Sequence, residues 1–363
     1  MRSSSRKLLF VIIALAVVGF VIYRSSSLLH SGAFFANLFN AVRKANPLML
    51  ALSVVAIYAC YAIRSLRWQV LQRNLGPSRF WQIYAMTLAG FAAVLVLGRP
   101  GEPVRVLLLA RKEKLPVADL VGIYIVERIL DTASTLVISA IALLLIHSGG
   151  ISATAGKFVP AFKAAGGLMG VAVLGAIAFL VYVRLHGAMV LERRLGPWHE
   201  AGGWRTRVAR VVVGFARGVQ TIRTWGDLAL ATIYSAMHWV LVLFVYLWVI
   251  HAFGGGLATF SVGDAMLVMA FSLVGSIVQF PGIGGGSQLA SILVFTKVFG
   301  IEPELATAAA IVIWLVTFAT CTVVGLPILL HQGLSLGKLR EMAEQEREQE
   351  RESLDHPLAG ENE

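Results

Sequence analysis

The residues of this sequence that are best suited to chemistry are charged side chains set beside or within long apolar stretches. A charged side chain at membrane depth costs roughly 2.5–3.5 kcal/mol on insertion scales, so its position calls for an explanation. Arg64 and Arg67 follow one apolar run directly, with Trp68 beside them. A guanidinium can donate a bidentate pair of hydrogen bonds to phosphate oxygens, so the two arginines are a candidate phosphate clamp. The alternative is the positively charged, aromatic end of a membrane helix.

A second charged group surrounds a segment rich in proline and glycine, residues 98–103. Proline and glycine leave backbone amides free there, and a helix that follows would present its N-terminus to an anion. Arg99 and Arg105 can join these amides in binding a phosphate, while Glu102 fixes an arginine or binds a cationic headgroup. The alternative is a structural Arg–Glu pair that closes the loop.

A third charged group, Glu127, Arg128 and Asp131, lies within a single apolar stretch. The two carboxylates are four residues apart, so they share a face of a helix, and Arg128 lies one turn from Asp131. Two roles are open: an ion-paired cluster between helices, or coupling to a substrate or to protons. Paired carboxylates can also serve acid–base chemistry. No activated nucleophile or metal-ligand spacing accompanies them, so we expect no catalytic residue, no metal site and no cofactor, and the chain is not predicted to be an enzyme.

The fourth segment of interest is glycine-rich, residues 281–288. It ends in Ser287-Gln288 and lacks the Gly-Lys-Ser/Thr ending of a nucleotide phosphate loop. We therefore predict a close-packed turn that exposes backbone amides and faces the first proline- and glycine-rich segment. The predicted residues that bind a lipid headgroup or phosphate are Arg64, Arg67, Arg99, Gly101, Glu102, Arg105, Glu127, Arg128, Asp131, Pro281, Gly282, Gly284 and Gln288.

The composition places these groups in a membrane protein. Of the 363 residues, 57% are hydrophobic and 14% are charged, and the mean hydropathy is +0.76. Soluble globular chains contain about 45–50% apolar and about 25% charged residues, so an ordinary soluble enzyme is excluded. The two cysteines exclude a disulfide scaffold. The net charge of +11 comes mainly from residues that flank apolar segments, which indicates membrane topology and an anionic leaflet rather than a nucleic-acid partner.

The apolar stretches predict the elements that position the charges. A spanning helix needs about 20 mainly apolar residues, and shorter apolar stretches can enter a membrane as part of a hairpin. The candidate segments are 8–23, 46–63, 81–98, 120–147, 164–183, 228–252, 264–280, 287–299 and 305–330.

The positions of lysine and arginine predict the orientation. Basic clusters on both sides of 81–98 favour the cytoplasm, so we expect 81–110 to enter and return as a hairpin. The pair 264–280 and 287–299 forms a second hairpin that enters from the opposite side. The prediction is an all-α polytopic membrane protein with about six full transmembrane helices plus two Pro/Gly-broken re-entrant hairpins in an inverted-repeat arrangement. Both termini are cytoplasmic. The alternative is that proline and glycine merely end ordinary helices.

Two segments are expected outside the membrane core. In 204–225 the apolar residues form one helical stripe with arginines off it, which predicts an interfacial amphipathic helix on the cytoplasmic leaflet. A partner-binding helix is the alternative. The predicted domains are a transmembrane domain, 1–333, and a charged cytoplasmic tail, 334–363.

At these motifs the sequence resembles the lysylphosphatidylglycerol synthase transmembrane-region family of flippase-like proteins. The matching stretches are 64–68, 98–105, 127–131 and 281–284, in this order, and the resemblance covers about residues 8–330. Two positions depart from the family pattern: Leu97 replaces a proline, and Ser287-Gln288 replaces a charged pair. Fused members also carry a soluble aminoacyl-transferase domain. The residues after 330 are too few to form one, so we do not expect lipid aminoacylation by this chain.

The expected function is that of a lipid flippase-like transporter in a bacterial cytoplasmic membrane. The resemblance and the paired hairpins imply movement of an anionic, modified or polyprenyl-phosphate lipid between leaflets. One alternative is a non-transporting scaffold or partner of a lipid-linked glycosyltransferase or lipid-modifying enzyme. The other is an intramembrane enzyme that acts on a lipid headgroup.

Overall fold

The protein is an all-α polytopic membrane protein. A computed structural model describes residues 32–98, 101–146, 153–186, 196, 224–280 and 284–332. Within these ranges five helices are long and apolar enough to cross a membrane, and shorter apolar helices accompany them.

The helices of the first half follow the predicted apolar stretches. Asn46 caps the 26-residue helix that follows it, because its side chain accepts hydrogen bonds from the backbone amides of Leu48 and Met49 at 3.0 and 3.3 Å. The helices are α1 (Gly32–Lys44), α2 (Pro47–Gln72), α3 (Phe80–Leu97), α4 (Glu102–Glu113), α5 (Val117–Leu145), α6 (Ala153–Gly156) and α7 (Val159–His186).

The second half is more irregular. Ser261 and Asp264 form a capping box at the start of one helix, and Thr224 caps another. Two segments form π-helical turns, which are rare and are often found near functional sites. The elements are α8 (Trp225–Ala252), a 3-10 turn (Gly255–Leu257), α9 (Val262–Gly275), β1 (Gln279–Phe280), β2 (Gly284–Gly285), α10 (Gly286–Leu293), the π-helix Val294–Val298, α11 (Pro303–Trp314), the π-helix Leu315–Ala319 and α12 (Thr320–His331).

Several boundaries differ from the predicted segments. Helix α2 continues to Gln72, so it extends past the predicted segment 46–63. Arg64 and Arg67 therefore lie within this helix and not after its end. Helix α1 was not predicted. The predicted segment 8–23, most of the amphipathic segment 204–225 and the tail 334–363 lie outside the described residues.

Two helix pairs, α3–α4 and α9–α10, occupy the positions of the predicted hairpins, and we call them the short-helix pairs because the second helix of each is short. Helix α3 is itself one of the five helices that are long enough to cross a membrane. Helix α4 has 12 residues and α10 has 8, which corresponds to roughly 18 and 12 Å at 1.5 Å per residue. Both are shorter than the roughly 30 Å hydrocarbon core. Helix α4 folds back along α3, and α10 folds back along α9 through the antiparallel pair β1–β2. Their entry into the membrane as re-entrant hairpins remains a prediction.

Each short-helix pair contains glycines at a close approach. A Cβ atom at Gly101 would collide with the backbone of Ala93 on α3. Gly275 and Gly286 meet in the same way between α9 and α10, where a Cβ on either would overlap the other's carbonyl group. Glycine is therefore required for each pair to pack so closely.

The apolar core is divided in two. One core is formed mainly by α8, α9, α11 and the first half of α2, and the other by α3, α4 and the facing parts of α2 and α5. Helices α2, α5 and α8 contribute to both cores. Between the two cores each of these three helices carries polar side chains, which meet in a single buried layer.

Candidate functional site

The buried polar layer is a cluster of arginines around two carboxylates. Helix α2 supplies Arg64 and Arg67, α4 supplies Arg105, and α5 supplies Arg128 together with Glu127 and Asp131. We call the four arginines the arginine cluster and the two carboxylates the acidic pair. Five of these six residues are buried, and Arg128 is partly exposed.

Glu127 lies at the centre of the cluster. Its Oε1 accepts hydrogen bonds from Arg67 at 2.8 Å and from Arg64 and Arg105 at 3.2 Å each. Arg105 also donates to the second carboxylate oxygen, Oε2. Three guanidinium groups therefore compensate one carboxylate that is only 1% exposed. Such pairing is required, because an isolated charge in an apolar interior is very costly.

Asp131 is the second acceptor. Its Oδ1 accepts hydrogen bonds from Arg67 at 2.8 Å and from the indole of Trp239 at 3.4 Å. Its Oδ2 accepts from Arg64 and forms an ion pair with Arg128 at 3.2 Å. Arg67 donates further to the hydroxyl of Ser235 at 2.7 Å, so the cluster connects α2, α5 and α8. The predicted i,i+4 arrangement of the acidic pair on one helix face is observed.

Aromatic rings surround the guanidinium groups. The Arg105 guanidinium carbon lies 4.5 Å from the ring centroid of Trp68, and that of Arg64 lies 4.8 Å from the ring of Phe91. Arg128 lies 5.2 Å from the ring of Tyr124. These distances are within the range of cation–π attraction, which stabilises a desolvated cation without supplying a negative charge.

A cavity of about 550 Å³ opens beside this cluster. This volume is in the usual range for small-molecule sites. One end is charged and the remainder is mainly apolar, with several hydroxyl groups. The lining residues are Tyr61, Arg64, Gly90, Phe91, Val94, Leu95, Glu102, Arg105, Tyr124, Arg128, Asp131, Thr132, Thr135, Leu136, Ser139, Met169, Trp239, Ala270, Leu273, Val274, Ser276, Ile277, Phe318 and Cys321.

Both short-helix pairs contribute to the cavity wall. Gly90 and Arg105 come from the first pair, Leu273 and Val274 come from the end of α9 in the second, and Ser276 and Ile277 follow directly after α9. The sequence predicted that segments 98–103 and 281–288 face one another; Glu102 of the first lines the cavity, whereas no described residue of 281–288 does, so their mutual orientation stays a prediction.

The predicted site residues fall into four groups. Arg64, Arg105, Arg128, Asp131 and Glu102 line the cavity, and Glu102 accepts a hydrogen bond from the hydroxyl of Tyr124. Behind them, Arg67 and Glu127 complete the ion pairs, while Gly101 allows the close packing of α3 and α4. Gly284 belongs to β2, and Gln288 accepts a hydrogen bond from the amide of Gly285 at 2.5 Å as a helix cap. Arg99, Pro281 and Gly282 lie outside the described residues.

Sequence reasoning missed several contributors to the cavity. Tyr124 lies three residues before Glu127 and four before Arg128, so the spacing of α5 could have placed it beside them. The hydroxyls of Thr135 and Ser139 continue along the same helix. Nothing in the local sequence marked Phe91, because its contact with Arg64 exists only through the packing of α3 on α2.

The sequence matches the family model described as the lysylphosphatidylglycerol synthase TM region over residues 11–325. The chain belongs to this family. The match to the lysylphosphatidylglycerol synthase TM region includes the arginine cluster, the acidic pair and both short-helix pairs. The family name connects the chain with lipid handling in a membrane. No match was found among curated proteins or among solved structures.

Proposed function

We propose that this chain is a lipid flippase-like transporter of a bacterial cytoplasmic membrane, with both termini in the cytoplasm, and not an enzyme. The observation that carries the proposal is the cavity, which combines an arginine-rich end with a mainly apolar wall. A phospholipid or a polyprenyl-phosphate lipid has the same two-part chemistry. Membership of a lipid-related membrane family supports the same class of ligand.

In this proposal the lipid phosphate binds beside Arg64, Arg105 and Arg128, which line the cavity. Guanidinium groups bind phosphate oxygens in a bidentate manner, so a headgroup can leave water without losing its hydrogen bonds. The apolar wall accommodates the part of the lipid next to the headgroup. Irregular backbone at membrane depth is tolerated where it is buried in protein or lines a cavity, which fits the ends of the two short-helix pairs.

Movement of the two short-helix pairs against the remaining helices would expose the cavity to one leaflet and then to the other. Discontinuous helices at the interface of two repeats are a common device for such alternating access. The acidic pair is engaged by arginines on all four of its oxygens. This arrangement favours a structural and charge-balancing role for the pair over proton abstraction.

Transport is tested with the purified full-length chain in liposomes that contain a labelled lipid on one leaflet. The panel comprises anionic, zwitterionic and polyprenyl-phosphate lipids, and protein-free liposomes provide the background rate. We expect protein-dependent movement of at least one anionic lipid. If none of the lipids moves, the proposal is wrong.

A deletion strain distinguishes the alternatives. A transporter changes the leaflet in which a lipid lies, whereas an enzyme changes which lipid species are present. Unchanged lipid species with altered leaflet distribution support transport. Loss of one lipid species in the deletion strain, together with no movement in liposomes, favours an enzyme or a partner of one.

A further inference from the structure

The last spanning helix is built from two parts that pack in different places. Residues Pro303–His331 form one apolar span of 29 residues. The first part, α11, contributes Ala309 and Ile313 to the first core, the one formed mainly by α8, α9, α11 and the first half of α2. The last part, α12, places Leu329 in the second core. The span therefore passes from one core to the other along its length.

The change of core coincides with the π-helical turn Leu315–Ala319. There the backbone amide of Thr320 donates to the carbonyl of Leu315, five residues earlier, and not to that of Val316 as in an α-helix. The carbonyl of Val316 accepts the hydroxyl of Thr320 instead. The Thr320 side chain thus supports the π-helical register, because it occupies the acceptor that the α-helical register would use. Such turns are one of the few identified causes of kinks in long helices.

Two tyrosines of α2 donate hydrogen bonds to this region. The hydroxyl of Tyr58 donates to the carbonyl of Thr320 at 2.7 Å, and that of Tyr61 donates to the carbonyl of Thr317 at 3.3 Å. A carbonyl oxygen has two lone pairs, so it can accept a side-chain donor in addition to a helix amide. Both hydrogen bonds are lost if the turn bends away from α2. They therefore stabilise one geometry of the turn.

On the far side of the turn, α12 is packed tightly against α3. A Cβ atom at Gly325 would lie 2.2 Å from the carbonyl oxygen of Leu88, so the two backbones are in contact. Pro327 lies inside α12 and cannot donate to the carbonyl of Val323, which weakens the helix at that point. Because closely packed interiors transmit strain instead of deforming, we expect α3 and α12 to move as one unit.

The π-helical turn also forms part of the cavity wall. Phe318 lies within the turn and Cys321 follows it, and both line the cavity. We propose that Leu315–Ala319 is a hinge at which the α3–α12 unit tilts against α11, and that Tyr58 and Tyr61 form the latch that holds the described state. Tilting moves Phe318 and Cys321 relative to the arginine cluster and so changes the opening of the cavity.

The role of this hinge in transport rests on the proposed function, and the hinge supplies the joint about which the first short-helix pair moves. Hinges in such transitions are a few residues that absorb a large change of backbone angles. The hinge and its latch belong to the fold itself, so they can be measured without any lipid. Failure of the hinge and failure of transport are therefore separate results.

The test is pulsed electron paramagnetic resonance of the full-length chain in detergent, with nitroxide labels attached in pairs. The native thiols are removed by Cys60→Ala and Cys321→Ser. The first pair of labels, at Val240 and Leu330, measures the distance from α8 beside the first core to α12. The second pair, at Trp81 and Leu330, measures the distance from α3 to α12 within the tilting unit. All three label positions are exposed.

Tyr58→Phe removes one latch hydroxyl and keeps the ring. We expect the ratio of tilted to described first distances to rise roughly two- to tenfold, which corresponds to one net hydrogen bond. Adding Tyr61→Phe should raise the ratio further. Tyr246→Phe is the matched control, because its hydroxyl donates to Ser272 at 3.0 Å between α8 and α9, within the first core. It should leave both distances unchanged.

Thr320→Val tests the turn from within the helix. It removes the hydroxyl that occupies the carbonyl of Val316 and keeps the backbone carbonyl to which Tyr58 donates. We expect it to populate the same tilted distance as Tyr58→Phe, again without a change in the second distance. Should the tyrosine variants fail to fold, Thr320→Val decides the matter.

An unchanged first distance in the double tyrosine variant and in Thr320→Val would overturn the inference. An equal change in Tyr246→Phe would also overturn it, because the loosening would then be general. So would a parallel change in the second distance, because α3 and α12 would not move as a unit. Tilting without lipid movement in liposomes refutes transport and leaves the hinge standing. Lipid movement with unchanged distances in all variants refutes only the hinge.

Discussion

Separate replacement of Arg67 and Arg128 by glutamine should divide the arginine cluster into a structural part and a ligand-binding part. The Arg67 side chain is 1% exposed and makes two 2.8 Å contacts with the acidic pair, whereas the Arg128 side chain is 36% exposed and lies at 3.2 and 3.7 Å from it. The same chemical change therefore removes a fully buried partner in one case and a partly exposed one in the other.

The expected magnitudes differ widely. Removing one partner of a buried ion pair costs about 3–5 kcal/mol, a large share of a total stability of about 5–15 kcal/mol. A partly exposed pair contributes about 1 kcal/mol or less. Arg128→Gln, however, removes a donor that lines the cavity. Loss of a charge-assisted hydrogen bond of about 1.5–3 kcal/mol weakens headgroup binding roughly 10- to 150-fold.

The assay combines unfolding in detergent with titration of short-chain phosphatidylglycerol. Arg67→Gln should lower the unfolding temperature strongly and reduce the yield of folded protein. Arg128→Gln should unfold near the wild-type temperature and bind the lipid poorly. If Arg128→Gln destabilises the protein as much as Arg67→Gln, or binds the lipid as well as the wild type does, the division of roles is refuted.

Three further predictions concern packing, pH and topology. Gly101→Ala should reduce folded yield, since its Cβ would meet the backbone of α3, whereas Gly170→Ala, which has open space around it, should be neutral or slightly stabilising in unfolding measurements. Burial raises the pKa of the Glu113 carboxyl, one oxygen of which has no hydrogen-bond partner among the described residues. Because the pKa of Glu113 is higher in the folded than in the unfolded protein, ionisation of this carboxyl lowers the stability as the pH rises above its unfolded-state pKa. Glu113→Gln should therefore unfold at a higher temperature than the wild type at about pH 7. Near pH 4, where the carboxyl is largely protonated, the variant should show no advantage. A cysteine at Lys112 should react with impermeant reagents only from the cytoplasm, and one at Glu302 only from outside; reaction of Lys112 from outside would contradict the predicted hairpin.

The helical architecture follows from the sequence because its signals are local. Long apolar stretches predicted most of the described helices, and the spacing of Glu127 and Asp131 placed the acidic pair on one face. The end of α2 was less predictable. Arg64 and Arg67 resemble the basic boundary of a membrane helix, yet they continue the helix, because the acidic pair on α5 compensates them inside the protein.

The cavity could be predicted only in part, because it depends on contacts distant in sequence. The pairing of Arg105 with Glu127 requires α4 to fold back along α3 and pack on α5. The close approach at Gly275 likewise depends on α10, which begins eleven positions later in the sequence. The arginines in the sequence indicated an anion site. Only the packed structure shows how many of these arginines form ion pairs with Glu127 and Asp131.

In the proposed transport cycle a lipid headgroup passes through the cavity beside the arginine cluster. The most direct measurement is the rate at which labelled phosphatidylglycerol crosses liposomes that contain the wild type, Thr135→Trp or Val137→Trp. Thr135 lines the cavity, whereas Val137, two residues along α5, is exposed and outside the lining. We predict that Thr135→Trp fills the cavity and stops transport while Val137→Trp transports at the wild-type rate. Equal transport by both folded variants would contradict the claim.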